Sequence, residues 1–144
     1  MNEIKGFFKE HRWLSNFSDA WVKMDNRWYS SVEHAYQAAK TFDEDLRTQI
    51  RNAATPGQAK KLGKELIPRD DWDEVKEDVM TDLLIQKFCQ SEYRELLLAT
   101  ENMYLEETNT WGDVYWGVCD GRGLNRLGEI IMGLREDLQQ ILGE

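Results

Sequence analysis

The chain has 144 residues, 27 acidic and 18 basic, enough to bury a core without disulfides or a structural metal; its formal charge of −9 excludes a general nucleic-acid coat, which works by neutralising phosphates. The two cysteines, Cys89 and Cys119, form neither a CxxC pair nor a disulfide framework, which fits a reducing cytoplasm. No stretch approaches the roughly 18 apolar residues of a membrane span, and residues 1–5 lack the basic-then-apolar start of an export signal, so a soluble protein without a membrane partner is expected.

In chain order, residues 4–8 are a short strand candidate, and residues 11–17, which have no clean period, a structured loop. Residues 20–24, an Asp25-Asn26 turn and residues 27–29 read as a hairpin. It feeds Ser30-Ser31-Val32-Glu33-His34-Ala35-Tyr36-Gln37-Ala38-Ala39-Lys40. Ser30 with Glu33 three positions on reads as a capping box. Val32, Ala35, Tyr36, Ala39, Phe42 and Leu46 recur at the spacing of one buried stripe, which predicts a helix from about Ser31 into residues 46–50. Glu33, Gln37 and Lys40 then share one face near the positive helix end. Either Glu33 merely caps the helix with Lys40 solvated beyond it, or a carboxylate, an amide and an amine together grip a polar substrate.

Thr55-Pro56-Gly57-Gln58 combines a cap, a proline at the first helical position and an N3 glutamine, predicting a short helix over residues 59–62 that stops near Gly63. Lys60, Lys61, Lys64 and Arg69 cluster here as either a solvated surface or an anion-binding edge. A third helix starts near Asp70 or Asp71 and carries Trp72, Val75, Val79 and Leu83, widened by Met80, Leu84 and Phe88. That stripe reads as core rather than a cofactor box. Ser91 caps a short helix through Leu98. Residues 103–107 and 114–118 read as strands, with loops at 108–113 and 120–125 whose glycines allow close backbone approach to a ligand. Leu127, Ile130, Ile131, Leu134, Leu138 and Ile141 mark a last core helix with Asn125 as its N-cap. Without repeats or linkers, residues 1–144 read as one helix-rich α+β domain with a small, mostly antiparallel sheet.

Standard chemistries are mostly dismissed by spacing. His11, His34, Cys89 and Cys119 lack paired metal-ligand spacing, neither histidine stands in a nucleophile elbow, and Gly121-Arg122-Gly123 is neither a Walker loop nor a dinucleotide fingerprint. What remains is Glu33, Glu106, Glu107 and Asp113, with Asn16, Asn109 and Asn125, a lysine and several of the six tryptophans. That inventory suits a sugar or nucleoside: carboxylates stabilise an oxocarbenium-like transition state or activate water, amides bind ribose hydroxyls, and indoles stack on a base.

Leu14-Ser15-Asn16-Phe17, residues 31–40, Arg69 to Trp72, Trp111-Gly112-Asp113-Val114-Tyr115-Trp116-Gly117, and Gly123-Leu124-Asn125-Arg126-Leu127-Gly128 occur in an order and spacing that resemble the NADAR (YbiA-like) family across nearly the whole chain. The resemblance implies a metal-free, cofactor-free N-glycosidase that cleaves the bond between ribose and a nitrogen base. Its substrate would be a phosphoribosylamino-pyrimidine intermediate of riboflavin synthesis, or guanine carrying ADP-ribose on a nucleic acid; a non-catalytic ADP-ribose or NAD-binding module is the rival from another class. No obligate protein partner is implied. Residue by residue, Glu33 becomes the leading catalytic carboxylate, Lys40 a catalytic or positioning amine and Asp113 a second catalytic carboxylate. Asn16, Phe17, His34, Gln37, Arg69, Trp72, Glu107, Trp111, Trp116, Gly117, Gly123 and Asn125 become substrate-binding positions. Glu107 matches the family's strand glutamate better than Glu106, and Gly112 departs from a histidine frequent in similar members. Two routes stay open: a carboxylate deprotonates water as the base leaves, or Lys40 attacks the anomeric carbon of a ring-opened sugar to give a Schiff base.

Overall fold

A computed structural model of the chain describes residues 2–143. In order it runs β1 (Glu3–Lys5), a 3-10 helix (Lys9–Leu14), β2 (Val22–Met24), β3 (Arg27–Tyr29), α1 (Val32–Ala39), α2 (Glu44–Arg51), α3 (Pro56–Glu65), α4 (Trp72–Phe88), α5 (Ser91–Ala99), β4 (Tyr104–Glu106), β5 (Thr108–Asn109), β6 (Val118–Cys119) and α6 (Arg126–Leu142). The architecture is helix-rich α+β, as expected. Its strands form three two-stranded sheets, of which β1–β4 and β5–β6 are parallel and β2–β3 antiparallel, so the pairing is not mostly antiparallel. Parallel partners need a crossover between them, and among the described residues only β2 and β3 are joined by a tight turn.

The chain clusters into two compact units, residues 16–87 and residues 2–15 with 88–143. In the first, Val22 pairs with Tyr29 across the hairpin and both are fully buried. Asp25 (φ 49°) and Asn26 (φ 66°) supply the two left-handed residues that a type I′ turn requires. All eight residues of α1 are buried, and the expected single helix is broken in two. Thr41 Oγ1 accepts from the Asp43 N–H at 3.1 Å, and Asp43 Oδ1 accepts from the N–H groups of Asp45 (2.9 Å) and Leu46 (3.1 Å). Short polar side chains thus take over the backbone donors and start α2 afresh. Phe42, expected in the stripe, is 63% exposed as a result. Thr55 caps α3, accepting from the Gln58 N–H at 3.1 Å, and the helix runs past Gly63 to Glu65. In α4, Trp72, Met80, Leu83 and Leu84 are buried.

In the second unit, Leu97, Leu105, Leu127 and Ile131 form the core. Phe88 takes edge-on contacts from Trp13 and Tyr93. Ser91 is the first residue of α5 rather than its cap; Gln90 holds the cap position and its side chain does not cap the helix. Of the strand expected over residues 114–118, only Val118 pairs, and its partner Thr108 lies in the expected loop. Ile141 is 68% exposed, because the α6 stripe outruns the core. Cys89 and Cys119 are free thiols. No helix among the described residues is long and apolar enough to cross a membrane.

Candidate active site

The N-terminus of α1 is capped by Ser31, not Ser30. Ser31 Oγ accepts from the His34 N–H at 3.1 Å and lies 2.6 Å from His34 Nδ1. His34 Nε2 is 3.0 Å from the Ala53 carbonyl, which only accepts, so Nε2 carries the proton and Nδ1 receives the serine hydroxyl. Both nitrogens of His34 therefore have structural partners. Shifting the cap by one residue moves Glu33 out of the capping-box position, and its own N–H is instead satisfied by the Asn16 carbonyl at 3.1 Å. The Glu33 carboxylate, in a side chain 7% exposed, accepts from Gln37 Nε2 at 2.6 Å. Gln37 packs closely against α3, where a Cβ at Gly63 would meet Gln37 Oε1 and Cδ, and that oxygen is buried without a hydrogen-bond partner.

Lys40 closes α1 in the C-cap position, with Nζ 5.9 Å from the Tyr36 ring centroid. Burial draws its amine below the usual lysine range; Glu33 opposes that shift, while Lys64, Lys60 and Lys76 push it further down. The lysine run anticipated as surface or anion edge thus acts electrostatically on this end of α1. The Lys40 carbonyl accepts from the Arg69 N–H at 2.7 Å. The Arg69 guanidinium binds Asp71 through two bonds, of 2.6 and 2.9 Å, and sits 4.1 Å from the centroid of the exposed Phe42 ring. Trp72 is buried against Tyr36, with centroids 5.1 Å apart. Phe17 is half-buried, and Asn16, 8% exposed, keeps its Oδ1 without a partner while Nδ2 faces Met80 Sδ at 3.5 Å. Residues 16–87 therefore gather Glu33, Gln37, Lys40 and Asn16 about α1 and give Arg69, Trp72 and His34 packing partners.

The other unit builds a second polar constellation around Asn125, which is left-handed (φ 52°, ψ 40°) and does not cap α6 with its side chain. The first N–H groups of the helix go to carbonyls of the preceding loop: Asn125 to Gly117 (3.2 Å), Arg126 to Tyr115 (3.1 Å) and Leu127 to Trp116 (3.0 Å). That releases the Asn125 amide to bridge β4, donating to the Leu105 carbonyl at 2.9 Å and accepting from the Glu107 N–H at 3.0 Å. Gly123 (φ +148°) lies so close to the Gly117 carbonyl that a Cβ would collide with it. Asn109 holds the tryptophan loop, accepting from the Asp113 N–H at 3.0 Å and donating to the Asp113 carbonyl at 2.8 Å. Asp113 Oδ1 accepts the N–H groups of Tyr115 (3.1 Å) and Trp116 (2.9 Å). Trp116 is half-buried and Trp111 is 58% exposed. Of the two strand glutamates, Glu106 is buried and bonded to Tyr104 and Thr108, and Glu107 is half-buried. Among the described residues no group of three His, Cys, Asp or Glu side chains is placed to hold a metal ion.

Sequence reasoning passed over Lys87, which is fully buried and donates to Ser18 Oγ at 2.7 Å. Its signal was available: a lysine four residues after Leu83 and seven after Met80 lies on the apolar stripe of α4.

A model of the NADAR domain matches residues 5–139, and the chain belongs to that family. It is 43% identical over 130 residues to N-glycosidase YbiA of Escherichia coli, covering 87% of this chain and 80% of that protein. It is 36% identical to an N-glycosidase of Nostoc punctiforme, covering 90% and 86%. It is also 35% identical to a riboflavin biosynthesis protein of Vibrio vulnificus, covering 92% of this chain and 37% of that longer one. The solution structure of E. coli YbiA superposes with a TM-score of 0.86 at 37% identity, over 99% of this chain and 89% of that one.

Proposed function

We propose that this protein hydrolyses the bond between ribose and a nitrogen base in a small phosphorylated riboside of the riboflavin-intermediate type, with Glu33 as the leading catalytic carboxylate. It is a hydrolase of N-glycosyl bonds by family membership and by its identity to curated N-glycosidases. The observation that carries the assignment to Glu33 is the cap at Ser31: with His34 in the N3 position, helix capping no longer accounts for a buried carboxylate oriented by Gln37. A carboxylate in that environment acts as general base on water, or supports positive charge on the ribose ring as the base departs. In the other unit Asp113 offers one oxygen to two backbone N–H groups, and the motif it stands in makes it a separate candidate carboxylate. The riboflavin-type substrate is supported by the name of the Vibrio relative and by the net charge of −9, which disfavours a polyanionic strand.

One observation favours a covalent variant. An amine lowered by burial holds a larger neutral fraction, and only neutral Nζ is a nucleophile. In a ring-opened N-riboside, Nζ of Lys40 adds to C1, the C1–N bond to the base breaks, and the base leaves with a proton. Water then hydrolyses the resulting lysine imine, releasing the sugar aldehyde and restoring the amine. Incubation with a phosphoribosylamino-pyrimidine and chromatography for free base tests the function. Binding of ADP-ribose without release of base from any N-riboside would instead identify a binding module.

A further inference from the structure

An amine in the apolar stripe of α4 is not explained by packing, since an unbranched methionine, one atom shorter, would fill nearly the same place without desolvating a polar group. Lys87 is the largest departure from that stripe: it is fully buried, between Leu83 and Leu84 on one side and Phe88 on the other in sequence, and burial lowers its amine to about 7. What it contacts is a short strap, residues 16–20, fastened to the run-up of α1 at both ends. The Ala20 N–H donates to the Ser30 carbonyl at 3.1 Å, and the Asn16 carbonyl accepts from the Glu33 N–H at 3.1 Å. α4 grips the same strap twice, through Met80 Sδ under Asn16 Nδ2 and through Lys87 Nζ on Ser18 Oγ at 2.7 Å. Ser18 is itself buried.

We propose that Lys87 is a positioning residue of the hydrolase: by anchoring Ser18 it fixes the strap whose Asn16 carbonyl sets the Glu33 backbone. The inference rests on the reading that Glu33 carries the hydrolysis. A shift of the strap moves the first turn of α1, and displacements of about 1 Å at a catalytic group lower turnover by as much as about 100-fold.

The test is steady-state kinetics on a phosphoribosylamino-pyrimidine for Lys87→Met, Ser18→Ala and the double variant, with thermal melts at pH 7 and Glu33→Gln as control. Each single change is expected to lower kcat by about 10- to 100-fold with KM within about twofold and no loss of melting temperature for Lys87→Met. The double variant is expected to be no slower than the worse single one, because both changes break the same hydrogen bond. Full kcat in Lys87→Met, or losses that multiply in the double variant, overturns the proposal while leaving Glu33 catalytic. Should Lys87→Met fail to fold, Ser18→Ala decides, and normal kcat there overturns it equally. Activity in Glu33→Gln sinks the reading of Glu33 and this inference with it.

Discussion

His34 Nδ1 and Ser31 Oγ lie 2.6 Å apart, and the same hydroxyl accepts the His34 N–H. The serine half of a capping box is thus present, while the imidazole at the N3 position takes the serine hydroxyl rather than the backbone N–H of the cap residue. Glu33, one residue earlier, is turned toward Gln37 instead.

Glu33→Gln separates structure from chemistry. The amide keeps the size of the side chain and can still pair with Gln37, and the cap on Ser31 is untouched. The variant is expected to unfold within about 1 kcal/mol of the parent in urea titrations while losing nearly all release of base. Unchanged turnover would return Glu33 to a purely structural role.

Borohydride added during turnover is expected to leave a sugar-sized mass increase on the Lys40 peptide, since reduction traps a lysine imine. Good activity in Lys40→Arg together with no adduct removes the covalent route. The lysines that lower the Lys40 amine give a second handle. Lys60→Ala with Lys64→Ala removes two like charges, so the Lys40 pKa rises and the alkaline-rising limb of kcat moves to higher pH. A profile that stays in place shows that neutral Lys40 is not required.

Substrate size is readable from salt. A nucleotide-sized substrate engages one or two cations and is expected to be cleaved with weak salt dependence, with Lys60→Ala/Lys61→Ala keeping most of that activity. An ADP-ribosylated strand would engage several, so its cleavage would slow steeply with salt, and each phosphate-binding cation replaced by alanine would reduce the logarithmic salt slope by about one unit. Strong preference for a modified oligonucleotide at moderate salt would reverse the assignment.

Lys87 is expected to shape the stability curve. Its folded pKa of about 7 lies below the ordinary lysine value of 10.5, so between those limits the unfolded chain holds a proton that the folded chain lacks. Stability from this group therefore rises with pH from about 7 to 10.5 and is at its lowest below 7, where the buried amine must be charged. Lys87→Met is expected to flatten that rise and to add about 2 kcal/mol at pH 7, the burial penalty less the bond to Ser18. Calorimetry across this window checks both statements.

Gly123→Ala is expected to cost more than about 2 kcal/mol, since the residue holds φ +148° and its Cβ would meet the Gly117 carbonyl. An alanine variant that melts with the parent would show that the loop has room to shift.

Local signals were legible in the sequence because the interactions behind them span only a few residues. Asp25-Asn26 announces the hairpin, Thr55 with Pro56 and Gln58 announces α3, and the spacing of Met80, Leu83 and Leu84, or of Leu127 and Ile131, announces a buried helix face. The motif order also carried the family and placed Glu33, Gln37 and Lys40 on one helix. Tertiary structure decided the rest. Whether Ser30 or Ser31 caps α1 depends on the Asn16 carbonyl and the Ala53 carbonyl, which satisfy Glu33 and His34 from distant positions. Asn125 holds the expected N-cap position of α6, but loop carbonyls lie against the first N–H groups and its side-chain amide bonds toward β4 instead of capping. Parallel pairing of β1 with β4 and the burial of Lys87 against Ser18 likewise join residues far apart in the chain. Capping and periodicity state what a segment offers; which partner accepts the offer is set by groups that only folding brings within hydrogen-bond reach.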